Sequence, residues 1–148
     1  MKQILLCVIS LLFLNQQLVF AENNTALLKA ENALVKSTIP GVKVSLGYIK
    51  LTNMSDHTIH LIGAKSDSSM HTEFHKMEMS NSQMSMRKVD EIMIKAHQSF
   101  AFKKGTFHLM FMGLKKRFVA GESVVVDFLL DNGTSYQVTL PIMDMHSH

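Results

Sequence analysis

The sequence predicts an all-β domain, a sandwich or barrel of eight or nine short strands. Short segments in which apolar and polar residues alternate recur along most of the chain, and turn-forming residues separate them. No stretch of useful length shows the 3.6-residue apolar period of an amphipathic helix. A chain of 148 residues is long enough for one domain with a real core.

The candidate strands follow one another in order, with short turns between them. Alternation is clearest in the second, where Val44, Leu46 and Tyr48 share one face. Pro40-Gly41 marks the turn before it, and Asp131-Asn132-Gly133 is typical of a tight hairpin turn. The candidate segments are 33–37, 42–51, 58–64, 72–79, 84–89, 92–94, 99–103, 106–112, 122–130 and 135–140.

Composition and charge exclude several function classes. The formal net charge is only +3, and the longest basic run is Lys115-Lys116-Arg117, so nothing indicates nucleic-acid binding. No Ser/His/Asp or paired-carboxylate constellation is recognisable, and we therefore do not expect an enzyme. Twelve methionines are unusual for a chain of this length.

Residues 1–21 are predicted to be a cleaved secretory signal peptide, which would export the protein to the periplasm. Lys2 supplies the positive start, Ile4–Leu14 the short apolar region, and Ala21 the small residue before the cut. The apolar run is short for a transmembrane helix, although an uncleaved anchor is the alternative. No other stretch could span a bilayer, and residues 22–28 are expected to be flexible.

The one cysteine, Cys7, lies inside this predicted leader. A lipoprotein would need the cysteine at the cleavage point, after a complete apolar region, so we interpret Cys7 as an apolar residue lost on cleavage. The mature chain would then have no cysteine, which excludes a structural disulfide and a blue-copper site with a thiolate ligand.

The strongest functional pattern lies between His75 and Met110. Its spacing is His75-X10-Met86-X21-His108-X-Met110. Side chains alternate across a strand, so His108 and Met110 should point to one face. The turn-like Ser80–Gln83 stretch could fold a hairpin that brings His75 close to Met86.

These four side chains suit a soft metal ion. Thioether sulfur favours Cu(I) over Zn(II), Mg(II) or Ca(II), and imidazole also suits copper. Two His and two Met carry no charge, which favours a monovalent ion. The alternative is that the methionines fill gaps in the core and the histidines are incidental. Against it, His-x-Met puts a polar residue where a core face would need an apolar one.

This spacing is similar to the motif of the periplasmic copper chaperone family written PCu(A)C. The segment His-Leu-Met-Phe-Met-Gly-Leu at 108–114 and the Ile39-Pro40-Gly41 turn also resemble that family. The resemblance covers about residues 30–141. It implies a cupredoxin-like Greek-key β-barrel over residues 29–141. It also implies that the Cu(I) ligands are His75, Met86, His108 and Met110.

The resemblance further implies a monomeric carrier that takes Cu(I) to an acceptor protein. The acceptor it suggests is the CuA site of cytochrome c oxidase, in subunit II, or another copper chaperone. Two alternatives stay open: a secreted β-sandwich interaction module, and a periplasmic copper buffer that confers tolerance.

The remaining Met and His residues have two expected roles. Met77, Met79, Met84 and Met112 should mostly pack around the site and keep it dry, and one of them is a candidate exchange ligand that helps to pass the ion on. Residues 142–148 should form a flexible tail that is either a frayed end or a second copper site, suited also to Cu(II). The tail's candidate ligands are Met143, Met145, His146 and His148.

Overall fold

A computed structural model describes residues 27–80 and 82–144 of the chain, and within them it forms ten β-strands and no helix. In that part of the chain, nothing helical has the length and apolar character to cross a membrane. The predicted signal peptide with Cys7, nearly all of segment 22–28, and tail residues 145–148 lie outside the described residues. The strands are β1 Leu28–Lys36, β2 Val44–Asn53, β3 Ile59–Lys65, β4 Ser69–Ser80, β5 Gln83–Val89, β6 Ile92–Ile94, β7 Ser99–Phe102, β8 Phe107–Leu114, β9 Ser123–Leu130 and β10 Ser135–Met143.

Seven of these strands close into a barrel. Their order is β4-β8-β2-β1-β10-β9-β3, and β3 returns to β4 through the pairing of Ala64 with Thr72. The pairing of β1 with β10 is parallel and the others are antiparallel. Strands β5, β6 and β7 add to β4, β3 and β2 respectively. The all-β barrel is therefore confirmed; each of the ten candidate segments forms a strand, whereas eight or nine strands were predicted.

The barrel interior is filled by aromatic and branched side chains. The rings of Phe74 and Phe102 lie 5.3 Å apart, and Phe74 also stacks on Phe128. Each fully buried side chain of this size stabilises the fold by about 1.5–3 kcal/mol relative to exposure. Because Phe74 on β4 and Leu109 on β8 point into this core, their neighbours along each strand point outward. That outward face of β4 and β8 carries three of the four predicted ligands, and the fourth, Met86, lies on β5.

Strands β1 and β10 extend beyond their predicted bounds. β1 begins at Leu28, which is buried, rather than at Ala33. Asn32 has a positive φ of 53°, and the register shifts between Glu31 and Leu34. This irregularity breaks the alternation on which the prediction depended. β10 runs to Met143, so the first two residues of the predicted tail belong to a strand.

Candidate metal site

Two histidines from neighbouring strands lie side by side on the outward face. His75 of β4 is directly opposite His108 of β8 in the antiparallel register. Opposite residues of such a pair project from the same face, a few ångströms apart. The two imidazole rings are 5.9 Å apart between centroids and tilted by 33°. The structure thus brings together two of the four predicted ligands.

Each ring keeps one nitrogen buried and unpaired. His108 is only 3% exposed. Its Nε2 and the Nδ1 of His75 are buried, and neither has a hydrogen-bond partner in the described part of the chain. A buried polar atom without a partner costs about 1–3 kcal/mol. Two such lone pairs on adjacent strands are the arrangement a metal ion would satisfy.

A carboxylate holds the other nitrogen of His75. Nε2 of His75 donates a hydrogen bond to Oε2 of Glu73 at 3.0 Å. That bond is the main reason the pKa of Glu73 is lowered, with Lys88 also contributing through an ion pair of 3.2 Å. Glu73 therefore stays ionised and fixes the proton on Nε2, which leaves the lone pair on Nδ1. Carboxylates commonly orient metal-binding histidines in this way.

His108 is held in its neutral form. Burial lowers its pKa, and the neighbouring His75 lowers it further, while a hydrogen bond with the backbone of Thr106 acts in the opposite direction. A neutral imidazole can donate a lone pair to a metal ion, whereas a protonated one cannot. The environment therefore prepares His108 as a ligand near neutral pH.

Met86 and Met110 lie on the same face as the histidines, on opposite sides of His75. Met110 of β8 is opposite Glu73, and Met86 of β5 is opposite Met77. Each is thus a diagonal neighbour of His75, with main chains about 7–8 Å apart, within reach of long side chains. Met110 is partly buried and Met86 is half exposed. The register places both thioethers beside the histidine pair without direct pairing.

Charged ligands do not complete this site. No group of three or more His, Cys, Asp or Glu side chains is placed to hold a metal ion within residues 27–80 and 82–144. An ion bound between His75 and His108 would therefore need donors of another kind. Thioethers are the donors that the same face offers.

Two of the neighbouring methionines are not where we expected them. Met79 is 73% exposed and Met84 is 54% exposed, so the expectation that they pack around the site and keep it dry is wrong. The β4–β5 hairpin projects beyond the core there, because the last pairing of β4 with β8 is that of Lys76 with Phe107. Met77 and Met112 are partly buried.

Sequence reasoning missed Glu73. The available signal was the two-residue spacing Glu73-Phe74-His75, which puts the carboxylate and the imidazole on one face of a strand.

Of the tail candidates, Met143 is half exposed at the end of β10. The other three, Met145, His146 and His148, lie outside the described residues.

Comparisons with known proteins agree with this architecture. Residues 28–142 match the profile of the family described as "Putative lipoprotein LpqE-like". A curated relative, "Putative lipoprotein Lxx21020" of Leifsonia xyli subsp. xyli (strain CTCB07), is 26% identical over 117 residues. That match spans 78% of this chain and 69% of the relative.

Solved structures with the same fold include copper-binding domains. The copper-bound PCuAC domain from PmoF2 superposes with a TM-score of 0.66 at 16% identity, over 80% of this chain and 93% of that one. The solution structure of the Cu(I) form of DR1885 from Deinococcus radiodurans has a TM-score of 0.61 at 25% identity, over 80% and 78%. The resemblance to PCu(A)C domains and the cupredoxin-like fold are thereby confirmed.

Proposed function

This chain belongs to the LpqE-like family, and we propose that it binds Cu(I) in the periplasm and carries the ion to an acceptor protein. One observation carries the proposal. Nδ1 of His75 and Nε2 of His108 are buried, unpaired within the described residues, and on directly opposed strands. Met86 and Met110 flank them on the same face, which gives a donor set of two imidazoles and two thioethers.

The charge around the pair favours a monovalent ion. The four donors are neutral, and Glu73 adds one negative charge behind His75 that Lys88 partly offsets. The negative charge of Glu73 would balance the single positive charge of a monovalent ion. A divalent ion would leave one positive charge unbalanced in a partly buried site. Soft thioethers also favour Cu(I) over Zn(II). The copper-bound PmoF2 domain and Cu(I)-DR1885 share this fold, which supports copper as the ion.

The arrangement suits transfer better than permanent storage or catalysis. His108 is buried, but Met86 is half exposed and belongs to β5, which pairs only with β4 among the described strands. A partner could therefore replace the thioethers one at a time before reaching the histidines. Four protein donors leave no open position for a substrate, which favours a carrier over an enzyme.

The acceptor we propose is the CuA site of cytochrome c oxidase subunit II, or another copper chaperone. Export through the predicted signal at 1–21 would place the carrier in the periplasm, and a family described as lipoprotein fits an exported protein. The tail ligands Met143, Met145, His146 and His148 would provide a second, weaker site that also takes Cu(II).

A competition titration with a Cu(I) chelator tests binding. The chain from Glu22 should hold about one Cu(I) tightly, as one site predicts, and a His75→Gln, His108→Gln double variant should lose it. His97→Gln is the matched control, because His97 is exposed and its Nε2 lies 2.8 Å from Oδ1 of Asp56. Equal Cu(I) affinity in the double variant and the control would favour the interaction module instead.

A transfer experiment separates a carrier from a buffer. The Cu(I)-loaded protein is mixed with the apo soluble CuA domain of an oxidase subunit II, and copper is measured in each protein after separation. Movement of copper to the CuA domain, faster than from a small-molecule Cu(I) complex at the same free Cu(I), supports delivery. Retention of copper by the chain would support the buffer.

A further inference from the structure

We propose an additional soft-metal site, separate from the tail, at the end of the β4–β5 hairpin, in which the thioethers of Met79 and Met84 hold Cu(I) and exchange it with the histidine pair. Met77 and Met86 lie between the two places. We call these four residues the methionine ladder. The inference rests on the proposed function for the identity of the ion, but it concerns residues outside the four ligands apart from Met86.

The strand register builds the ladder as two pairs. Met77 is directly opposite Met86, and Met79 is directly opposite Met84. Directly opposed residues have Cβ atoms about 4.5–5.5 Å apart. Two sulfur atoms on either side of a metal ion, each at about 2.3 Å, are about 4.6 Å apart. Directly opposed methionines of the outer pair can therefore bring their sulfur atoms to the separation that two-coordinate binding of a soft ion needs.

The two faces of this hairpin differ in chemistry. The face opposite the ladder carries Glu78, which pairs with Lys76 at 3.6 Å and with Arg87 at 3.3 Å. On the ladder face, both pairs between the tip and His75 consist of thioethers, and Lys88 lies opposite His75 itself. Solvent-exposed strand faces normally carry polar residues. Unpacked methionines there need a reason other than core filling, and a soft metal ion supplies it.

The ladder also leads to the principal site. Residues two apart on one strand are about 6.6 Å apart, so the outer pair, the inner pair and His75 form successive steps of that length. At each step one neutral donor replaces another, a thioether along the ladder and an imidazole at His75, and the ion stays Cu(I) with no change of charge. The outer pair is the most exposed step, so it is where an acceptor or donor of copper would meet the ion.

Methionine-methyl NMR tests the site residue by residue. The chain from Glu22, labelled with ¹³C at the methionine methyls, is titrated with Cu(I) without oxygen. The first equivalent should shift Met86 and Met110, and further Cu(I) should shift Met79 and Met84 in fast exchange. A Met79→Leu, Met84→Leu variant should lose that weaker binding and transfer copper to the CuA domain several-fold more slowly.

A matched control is a Met70→Leu, Met93→Leu variant. Both residues are exposed methionines on other parts of the barrel, 71% and 57% accessible, so this variant removes two surface thioethers without touching the ladder. It should bind and transfer copper like the unaltered chain. Leucine preserves the apolar character at each position, so folding should not change in either variant.

Three results would overturn the inference. If the NMR signals of the Met79 and Met84 methyls do not shift with added Cu(I), no metal binds there. Slow transfer by the Met79→Leu, Met84→Leu variant would then indicate a protein-docking surface instead. Shifts equal in size to those of the Met70 and Met93 methyls would show nonspecific binding. Unchanged copper transfer by the Met79→Leu, Met84→Leu variant would exclude the exchange role.

Failure of the proposed function can be told apart from failure of this inference, because only the former removes the tight first equivalent of Cu(I). The Met79 and Met84 shifts can still be read in the His75→Gln, His108→Gln background.

Discussion

Replacing Glu73 with alanine should weaken Cu(I) binding without changing any proposed ligand. The 3.0 Å hydrogen bond from Nε2 of His75 to Glu73 keeps the proton away from Nδ1. Without it, the ring is free to rotate or to move its proton to the nitrogen that should bind copper. The substitution also removes the negative charge beside the ion.

The size of the effect follows from the surroundings of Glu73. Loss of a carboxylate that supports a metal-bound histidine typically lowers affinity by about 10–100-fold, or about 1.4–2.8 kcal/mol. Glu73 is 23% exposed and also pairs with Lys88 at 3.2 Å. Solvent and Lys88 therefore weaken the effect of its negative charge on the ion, and we expect a loss of affinity in the lower half of that range. Glu73→Gln keeps an oxygen that can accept the hydrogen bond and should lose less than Glu73→Ala.

Two measurements check this prediction. Chelator competition gives the Cu(I) affinity, and long-range ¹H–¹⁵N NMR of the histidine rings reports which nitrogen of His75 carries the proton. Glu78→Ala is the control, since Glu78 is on the same strand but on the opposite face. The reasoning fails if Glu73→Ala and Glu78→Ala bind Cu(I) equally well, or if the tautomer of His75 is the same in both.

Three further outcomes are expected. A Met86→Ala, Met110→Ala variant should bind Cu(I) more weakly by at least tenfold yet melt within a few degrees of the unaltered chain, since neither side chain is in the core; unchanged affinity would exclude them as ligands. Burial lowers the pKa of His108 from 6.5, so as pH falls below about 6.5 the unfolded chain takes up a proton that the folded state resists. The melting temperature of the metal-free protein should therefore fall from pH 7.5 to pH 5, and it should fall less in His108→Gln. An equal fall in melting temperature in the two proteins would contradict this. A chain ending at Asp144 keeps all of β10, so by calorimetry it should retain its tight Cu(I) equivalent but lose a weaker Cu(II) equivalent; identical Cu(II) binding would show that the tail is only a frayed end.

Alternation along the strands made much of the fold predictable. The outward positions of His108 and Met110, beside inward Leu109 and Phe111, follow directly from period-two geometry. The hairpin of β4 and β5 followed from its turn residues. Where the backbone departs from regular geometry, as at Asn32 in β1, the same signal failed.

The features that prepare the site depend on pairing between distant segments. That His75 lies opposite His108 is a matter of register between β4 and β8, which alternation alone does not fix. The burial of His108 and the exposure of Met79 depend on where the barrel ends beneath the hairpin. The motif spacing indicated which residues matter, but their roles required the three-dimensional arrangement.

Copper K-edge X-ray absorption on the chain from Glu22, loaded with one equivalent of Cu(I), tests the central claim most directly. Two histidines and two methionines predict a Cu(I) edge and a mixed first shell, with nitrogen at about 2.0 Å and sulfur at about 2.3 Å. The His75→Gln, His108→Gln variant, which should lose tight Cu(I) binding, should not form this mixed first shell. A first shell of sulfur alone in the unaltered chain, or of nitrogen and oxygen alone, would contradict a site built on the histidine pair and its flanking thioethers.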